Sequence, residues 1–198
     1  MPVQFISVEQ RQNYGRYAGE PSSYELTRYF HLNDTDLNAI AKKRGDHNRL
    51  GFASQLTTVR FLGTFLEDPT DVSNAVLQTL GRQLHIQDLG ILSRYKGAKQ
   101  RWEHIVEIRS RYGFKDWNEP EIGFRLTRWL YALCWTGTEQ ASVLFDRATV
   151  WMLSNKVILP GCTTLERFVA KLRSRVETRL WLRLGQNITV EQRRRLED

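Results

Sequence analysis

Cysteine and proline are scarce in this sequence, with 2 and 5 among 198 residues. Cys134 and Cys162 match no metal-ligand spacing, and two thiols without a framework exclude a disulfide-stapled secreted domain and point to a reducing compartment. Cys134 lies inside the apolar run Leu130-Tyr131-Ala132-Leu133-Cys134-Trp135, where it reads as a small buried hydrophobe. Histidine is equally thin: His31, His47, His85 and His104 are scattered, without a His-x-x-x-His pair, which argues against a zinc site. No phosphate-cradling glycine-rich loop and no nucleophile elbow occurs. A basic leader followed by an apolar run is missing, as is any apolar stretch long enough to span a bilayer. These absences lead us to expect a cytosolic protein with no membrane partner, no metal, no catalytic residue and no cofactor of its own.

What is present is core material and positive charge. Hydrophobic residues make up 41%, including 6 Trp, 7 Tyr and 9 Phe, enough to exclude disorder as the default. Lys and Arg number 29 against 22 Asp and Glu, a formal net charge of +7. That balance suits a polyanionic partner, nucleic acid or an anionic membrane surface, with a merely basic surface as the alternative.

Alternating β-branched runs are few, whereas helix-period patterns with capping signals recur, so the expected class is all-α. Ser7-Val8-Glu9-Gln10 spells a capping box, and Asn33-Asp34-Thr35-Asp36 places acceptors and negative charge at a helix start. Residues 67–71 form a break before an amphipathic helix that ends near Leu84, and the pattern restarts after Ile86. Asn118-Glu119-Pro120-Glu121 opens a helix with proline in its first turn, expected to bury Phe124, Leu126, Trp129, Leu130 and Leu133. A helix covers 141–155, and Thr163-Thr164-Leu165-Glu166 offers a second capping box for a long helix reaching Leu184. Gly185-Gln186-Asn187 reads as its break, and a further charged helix starts at Thr189 and stops abruptly at Asp198. The expected organisation is two tandem helical bundles of helix-turn-helix type, residues 1–86 and 87–185, followed by a truncated helix or linker at 186–198.

The segment 45–63, preceded by the helix-patterned segment 34–44, reads as helix, tight glycine-containing turn, helix. A helix-turn-helix needs that layout, with a bracing helix and a second that offers short hydrogen-bonding side chains to a groove. His47, Asn48, Arg49, Ser54, Gln55, Thr57, Thr58 and Arg60 are therefore the candidate DNA contacts of the first bundle, capping and ordinary surface polarity being the competing reading. In the second, Arg94, Lys96, Lys99 and Arg101 surround Gly97 and could clamp a phosphate backbone, or form a solvated loop. Arg167, Lys171, Arg175 and Arg179 recur every four residues as one stripe, beside the apolar face Leu165, Phe168, Val169, Leu172, Val176 and Leu180. Only Glu166 and Glu177 are acidic between 164 and 184, so the stripe exceeds a balanced solvated face, and with Thr163 and Thr164 it forms the second candidate contact surface.

Several phrases carry a resemblance. Met1-Pro2-Val3-Gln4-Phe5 with Gln10-Arg11, Tyr14-Gly15-Arg16-Tyr17, Arg28-Tyr29-Phe30-His31-Leu32 and above all Arg44-Gly45-Asp46-His47-Asn48-Arg49-Leu50-Gly51-Phe52 resemble the amino-terminal region of Tn-three-family replicative transposases. Thr58-Val59-Arg60-Phe61-Leu62-Gly63-Thr64-Phe65, Arg101-Trp102-Glu103-His104, Arg128-Trp129-Leu130-Tyr131 and Pro160-Gly161-Cys162-Thr163-Thr164-Leu165 extend the likeness over nearly the whole chain. The resemblance implies tandem modules similar to centromere-protein-B-type helix-turn-helix domains, which recognise the terminal inverted repeats of double-stranded transposon DNA. It also implies a bacterial, nucleoid-associated protein that forms a homodimer through the rest of its length. The family's catalytic core is an RNase-H-like domain near the carboxyl end, whose three acids hold divalent metal, Mg in the parent enzyme. This chain stops before such a core, so none of its acids is assigned to that triad. The alternative is a helical interaction or dimerisation region without direct base readout.

Overall fold

Local chemistry sets the helix starts. Ser22 and Glu25 form a reciprocal capping box, with Ser22 accepting from the Glu25 amide at 3.3 Å and the Ser22 amide donating to Glu25 at 2.8 Å. Asn33 and Asp36 repeat that arrangement at 3.0 and 3.1 Å, where the sequence predicted a start. The computed structural model describes residues 5–137 and 139–187. Among them it is all-α: α1 (Val8–Asn13), α2 (Ser23–Tyr29), α3 (Asp34–Ala41), α4 (Asp46–Leu62), α5 (Asn74–Leu84), a single 3-10 turn at Leu89–Leu92, α6 (Ser93–Lys96), α7 (Gln100–Tyr112), α8 (Pro120–Thr136), α9 (Ala141–Ser154) and α10 (Cys162–Asn187). The expected helix after Thr189 lies outside the described residues.

The chain folds into two compact units. Among the described residues the larger comprises Val8–Trp117 and Met152–Pro160, and the smaller comprises 5–7, 118–151 and 161–187. The division expected at Ile86 does not coincide with this grouping. Leu92, Tyr95 and Ile108 are all buried in one core with Phe30, Leu50, Phe52, Leu56, Val76 and Leu80. Apolar residues beyond Ile86 need cover, and α4 supplies it: the 3-10 turn, α6 and α7 all pack against α4, as do α2, α3 and α5. Gly51 is what lets α6 approach, because a Cβ there would stand 2.4 Å from the Tyr95 ring carbons. Gly63 ends α4 in the left-handed conformation at φ 75°, and its carbonyl accepts from the Leu159 amide at 2.9 Å. Residues 152–160, the end of α9 and the segment after it, are tied in further by Lys115, whose amide donates to Lys156 at 2.8 Å and whose carbonyl accepts from Ile158 at 3.0 Å.

In the smaller unit α8 buries Ile122, Leu126 and Leu130, spaced four apart along one stripe, and α10 packs against it. Phe124, expected in that core, is 67% exposed, while Trp129 and Leu133 are half-buried, because the stripe at 122, 126 and 130 places them off its centre. Cys134 is half-buried rather than buried, and burial is the largest of the effects that raise its thiol pKa. The long helix starts at Cys162, its first amides turning back on the Gly161 carbonyl, and it runs past Gly185 instead of breaking there.

Candidate nucleic-acid interface

The polar residues predicted to read DNA from α4 are inside the protein. Thr57 and Thr58 are 0% and 1% exposed, and Ser54, Gln55 and Asn48 are also buried. Their hydrogen bonds are internal: Thr57 Oγ1 donates to the Ala53 carbonyl at 2.9 Å, and Thr58 Oγ1 shares a 2.8 Å bond with the Tyr17 hydroxyl. Asn48 Nδ2 donates to the Arg44 carbonyl at 2.9 Å. The physical reason is coverage: a helix packed by neighbours on all sides has no face left for a groove. Asn48, Ser54, Gln55, Thr57 and Thr58 are therefore corrected from contacts to core.

Gln55 opens a buried chain of polar groups. Its Nε2 donates to the Tyr95 hydroxyl at 2.8 Å, and that hydroxyl lies 2.8 Å from His104 Nδ1. With the hydroxyl accepting from Gln55 it donates to Nδ1, the arrangement of a neutral imidazole protonated on Nε2. Burial first, and the Lys43 charge second, lower the His104 pKa to about 4, against an opposing pull from Glu107. Lys43 pairs with Glu107 and lies 4.5 Å from the centroid of the Phe52 ring.

The cations of this unit are largely committed as well. Arg60 grips the fully buried Asp36 carboxylate through two bonds of 2.7 and 2.8 Å, with its guanidinium 5.1 Å over the Tyr112 ring. Burial opposes ionisation of Asp36, but the bonds and charge of Arg60, with help from Tyr112 and the Asn33 amide, hold its pKa below the usual value. Arg49 bonds Asp46 at 2.9 Å and the Leu84 carbonyl at 3.2 Å. Lys96 pairs with Asp68 at 2.5 Å, and Arg101 donates to the carbonyls of Leu66 and Glu67. These four act within the fold, while His47, Arg94 and Lys99 make no ion pair among the described residues, His47 half-buried and the other two exposed. The structure also exposes a groove of about 550 Å³ between α2 and α5, lined by Ser23, Thr27, His31, Thr79, Arg82 and Gln83 and by no carboxylate. Nothing in the helical periodicity of the sequence brings those two segments together.

In the smaller unit α10 divides into an anchored and a free face. Leu165, Val169, Leu172 and Val176 are buried, and Arg167, Lys171, Arg175 and Arg179 are exposed, as are Thr163 and Thr164. Glu177 is occupied by Arg173 at 2.9 Å, and Glu166 is 1% exposed. Neither acid neutralises the stripe: Arg167, Lys171 and Arg175 form no ion pair among the described residues.

Residues four apart drift about 40° around a helix, so the stripe winds as it runs. Arg167 lies opposite the buried face, and by Arg179 the stripe has turned to α8. There the Arg179 guanidinium lies 5.8 Å over the Tyr131 ring, and Arg183 lies 5.3 Å over Trp135. Tyr131 and Trp135 stack one turn apart, 5.9 Å between centroids and 15° between planes. The sequence gives the i, i+4 spacing within each helix, and Arg179 with it, but not the pairing of the two helices, so Tyr131, Trp135 and Arg183 were not among the predicted contacts.

Among the described residues no group of three His, Cys, Asp or Glu could hold a metal ion, and no helix is long and apolar enough to cross a membrane. The family model described as "Domain of unknown function (DUF4158)" matches residues 5–172. The transposase for transposon gamma-delta of Escherichia coli (strain K12) is 47% identical over 186 residues, covering 93% of this chain and 19% of that protein. The transposase for transposon Tn1546 of Enterococcus faecium is 29% identical over 195 residues, covering 98% of this chain and again 19% of the relative. The transposase for transposon Tn3926 of Escherichia coli is 31% identical over 175 residues, 88% of this chain and 17% of its own. This chain thus spans less than a fifth of the length of these relatives.

Proposed function

The chain belongs to the DUF4158 domain family, in a region shared with transposases of the Tn-three family, and from that membership we propose that it binds double-stranded DNA at transposon terminal inverted repeats. The observation that supports this most directly is the α10 stripe, three exposed cations without internal counter-charge on a helix held down by its opposite face. A duplex supplies the missing charge as regularly spaced phosphates, and the binding free energy comes from release of the counterions they hold. Arg94 and Lys99 in the larger unit, and Arg82 with His31 at the α2–α5 groove, add further polar and cationic contacts. Phosphate contacts fix register, and sequence choice comes from side chains that reach base edges, Thr163 and Thr164 at the start of α10 among them.

Cleavage and strand joining belong, on this reading, to the part of the relatives' length that this chain does not cover, with Mg bound there and subunits dimerising there. The protein then works in the bacterial cytoplasm, at the nucleoid. The test is a binding titration at several salt concentrations, on a duplex carrying the element's own end and on a scrambled duplex of equal length. The proposal expects steep weakening with salt on both and tighter binding to the true end. Salt-independent self-association with no DNA binding would instead identify a helical dimerisation region, the second reading that the exposed Trp102, Val106 and Trp181 allow. Equal affinity for both duplexes would reject end recognition.

A further inference from the structure

The winding of the α10 stripe leads to a groove of about 560 Å³ between the ends of α8 and α10, lined by Tyr131, Trp135, Arg179, Leu182 and Arg183 among others and by no carboxylate. Each arginine in it is exposed and has an aromatic ring beneath its guanidinium, at 5.8 Å for Arg179 on Tyr131 and 5.3 Å for Arg183 on Trp135. Arg179 is held further by a 3.4 Å bond from Nη1 to the Tyr131 hydroxyl. Two guanidinium groups are thus set over two aromatic rings, one helical turn apart, and both are exposed to solvent. Leu182, 61% exposed, provides an apolar wall.

We propose that this groove binds an unpaired stretch of nucleic-acid strand, the bases stacking on the two guanidinium–aromatic pairs. The inference rests on the reading of α10 as a phosphate-tracking helix, and extends it from paired to unpaired DNA. Grooves that take single strands combine a cationic track for the backbone with flat surfaces for the bases, and arginine planes serve as well as rings. Here the track and the flat surfaces are continuous, because Arg179 belongs to both. Charge decides between a strand and a protein segment. Arg167, Lys171, Arg175, Arg179 and Arg183 recur every four residues, about 6 Å along the axis. A polynucleotide meets such a series with one anion per nucleotide, whereas an acidic peptide would need a carboxylate at every turn. A blunt duplex offers only the outer face of its terminal base pair, so both stacking positions are filled only by a frayed, nicked or extended end.

The experiment uses the full chain and three probes: a blunt duplex, the same duplex with a short thymidine extension on one strand, and free oligothymidine. The extension is expected to tighten binding roughly tenfold, the effect of stacking one base. The double variant Arg179→Lys with Arg183→Lys keeps both charges and removes both planar stacks. The gain from the extension, read within each protein as the ratio of its affinities for the extended and the blunt duplex, should fall to about one in this variant, with an unchanged unfolding midpoint. The proposal is overturned if the extension brings no gain, or if the lysine variant keeps it, since charge alone would then account for the site. It is also overturned if polyglutamate, and not oligothymidine, changes the tryptophan fluorescence in a way the lysine variant abolishes, which would make the groove a protein-docking site. Failure of the blunt duplex to bind would count against the duplex reading instead, and the response to free oligothymidine would still decide this one.

Discussion

Replacing Arg60 separates a structural role from a DNA contact more sharply than any other single change. The Asp36 side chain is fully buried, and its ionised form is sustained by two Arg60 bonds of 2.7 and 2.8 Å. Arg60→Ala removes both bonds and leaves a carboxylate in the core without its guanidinium. Breaking one side of a buried pair costs about 3–5 kcal/mol, most of it the penalty on the charge left behind. With a urea slope near the middle of the usual range, about 2 kcal/mol per M, the unfolding midpoint should fall by about 2 M. Asp36→Asn removes the stranded charge, so adding Arg60→Ala to that variant should cost only about 1 kcal/mol, and the double-mutant cycle should return a coupling of a few kcal/mol. Because the folded-state pKa of Asp36 is lowered, its contribution is present above the unfolded carboxylate pKa and is lost as pH falls through the lower folded value. Arg60→Ala should remove that part of the acid dependence. If Arg60→Ala unfolds at the native urea concentration yet weakens DNA binding severalfold, the assignment of Arg60 to the core is wrong and the contact inferred from sequence is right.

Three further outcomes follow from the geometry. The triple variant Arg167→Ala, Lys171→Ala, Arg175→Ala should keep its unfolding midpoint and lower the slope of log K against log salt by about 2–3, one cation per phosphate, in an anisotropy titration; an unchanged slope would remove α10 from the interface. His104 has a lowered folded pKa, about 4, so below the unfolded value of about 6.5 the unfolded chain takes up a proton that the folded chain refuses. Stability measured by urea should therefore fall by up to about 3 kcal/mol from pH 6.5 to pH 4, and His104→Asn, which can still accept from Tyr95, should lose that part of the slope. Gly51→Ala should destabilise by about 1–3 kcal/mol through the clash with Tyr95, with no direct effect on DNA affinity; a neutral midpoint would show that α6 shifts freely.

What could be read from the sequence was local. The Asn33–Asp36 cap, proline in the first turn of α8 and the four-residue recurrence of Arg167, Lys171 and Arg175 are each written within a few positions, and each appears where periodicity puts it. The misreading of α4 has a definite cause. Ser, Thr and Gln on a helix suggest a solvent face, but Thr58 bonds Tyr17, and Gln55 Nε2 bonds Tyr95, 41 and 40 residues away. No window along the chain contains those pairs. The grouping of Leu92, Tyr95 and Ile108 with the first core was hidden for the same reason, since it depends on a glycine on one helix and a ring on another.

That difference explains why one candidate surface is buried and the other exposed. Buried polar side chains are mostly hydrogen-bonded, and the neighbours that cover α4 supply partners to Thr58 and to Gln55 Nε2, so its polarity says nothing about an external ligand. A charge cannot be hidden so cheaply, and on a helix its nearest possible counter-ions stand three or four residues away. On α10 those positions are legible: Glu177 is drawn to Arg173 and Glu166 faces inward. Arg167, Lys171 and Arg175 are then left facing solvent, where the proposed duplex would meet them, unlike the buried polar residues of α4. The interface is accordingly to be sought where cations lack acids on their own helix, and not where polar side chains are most numerous.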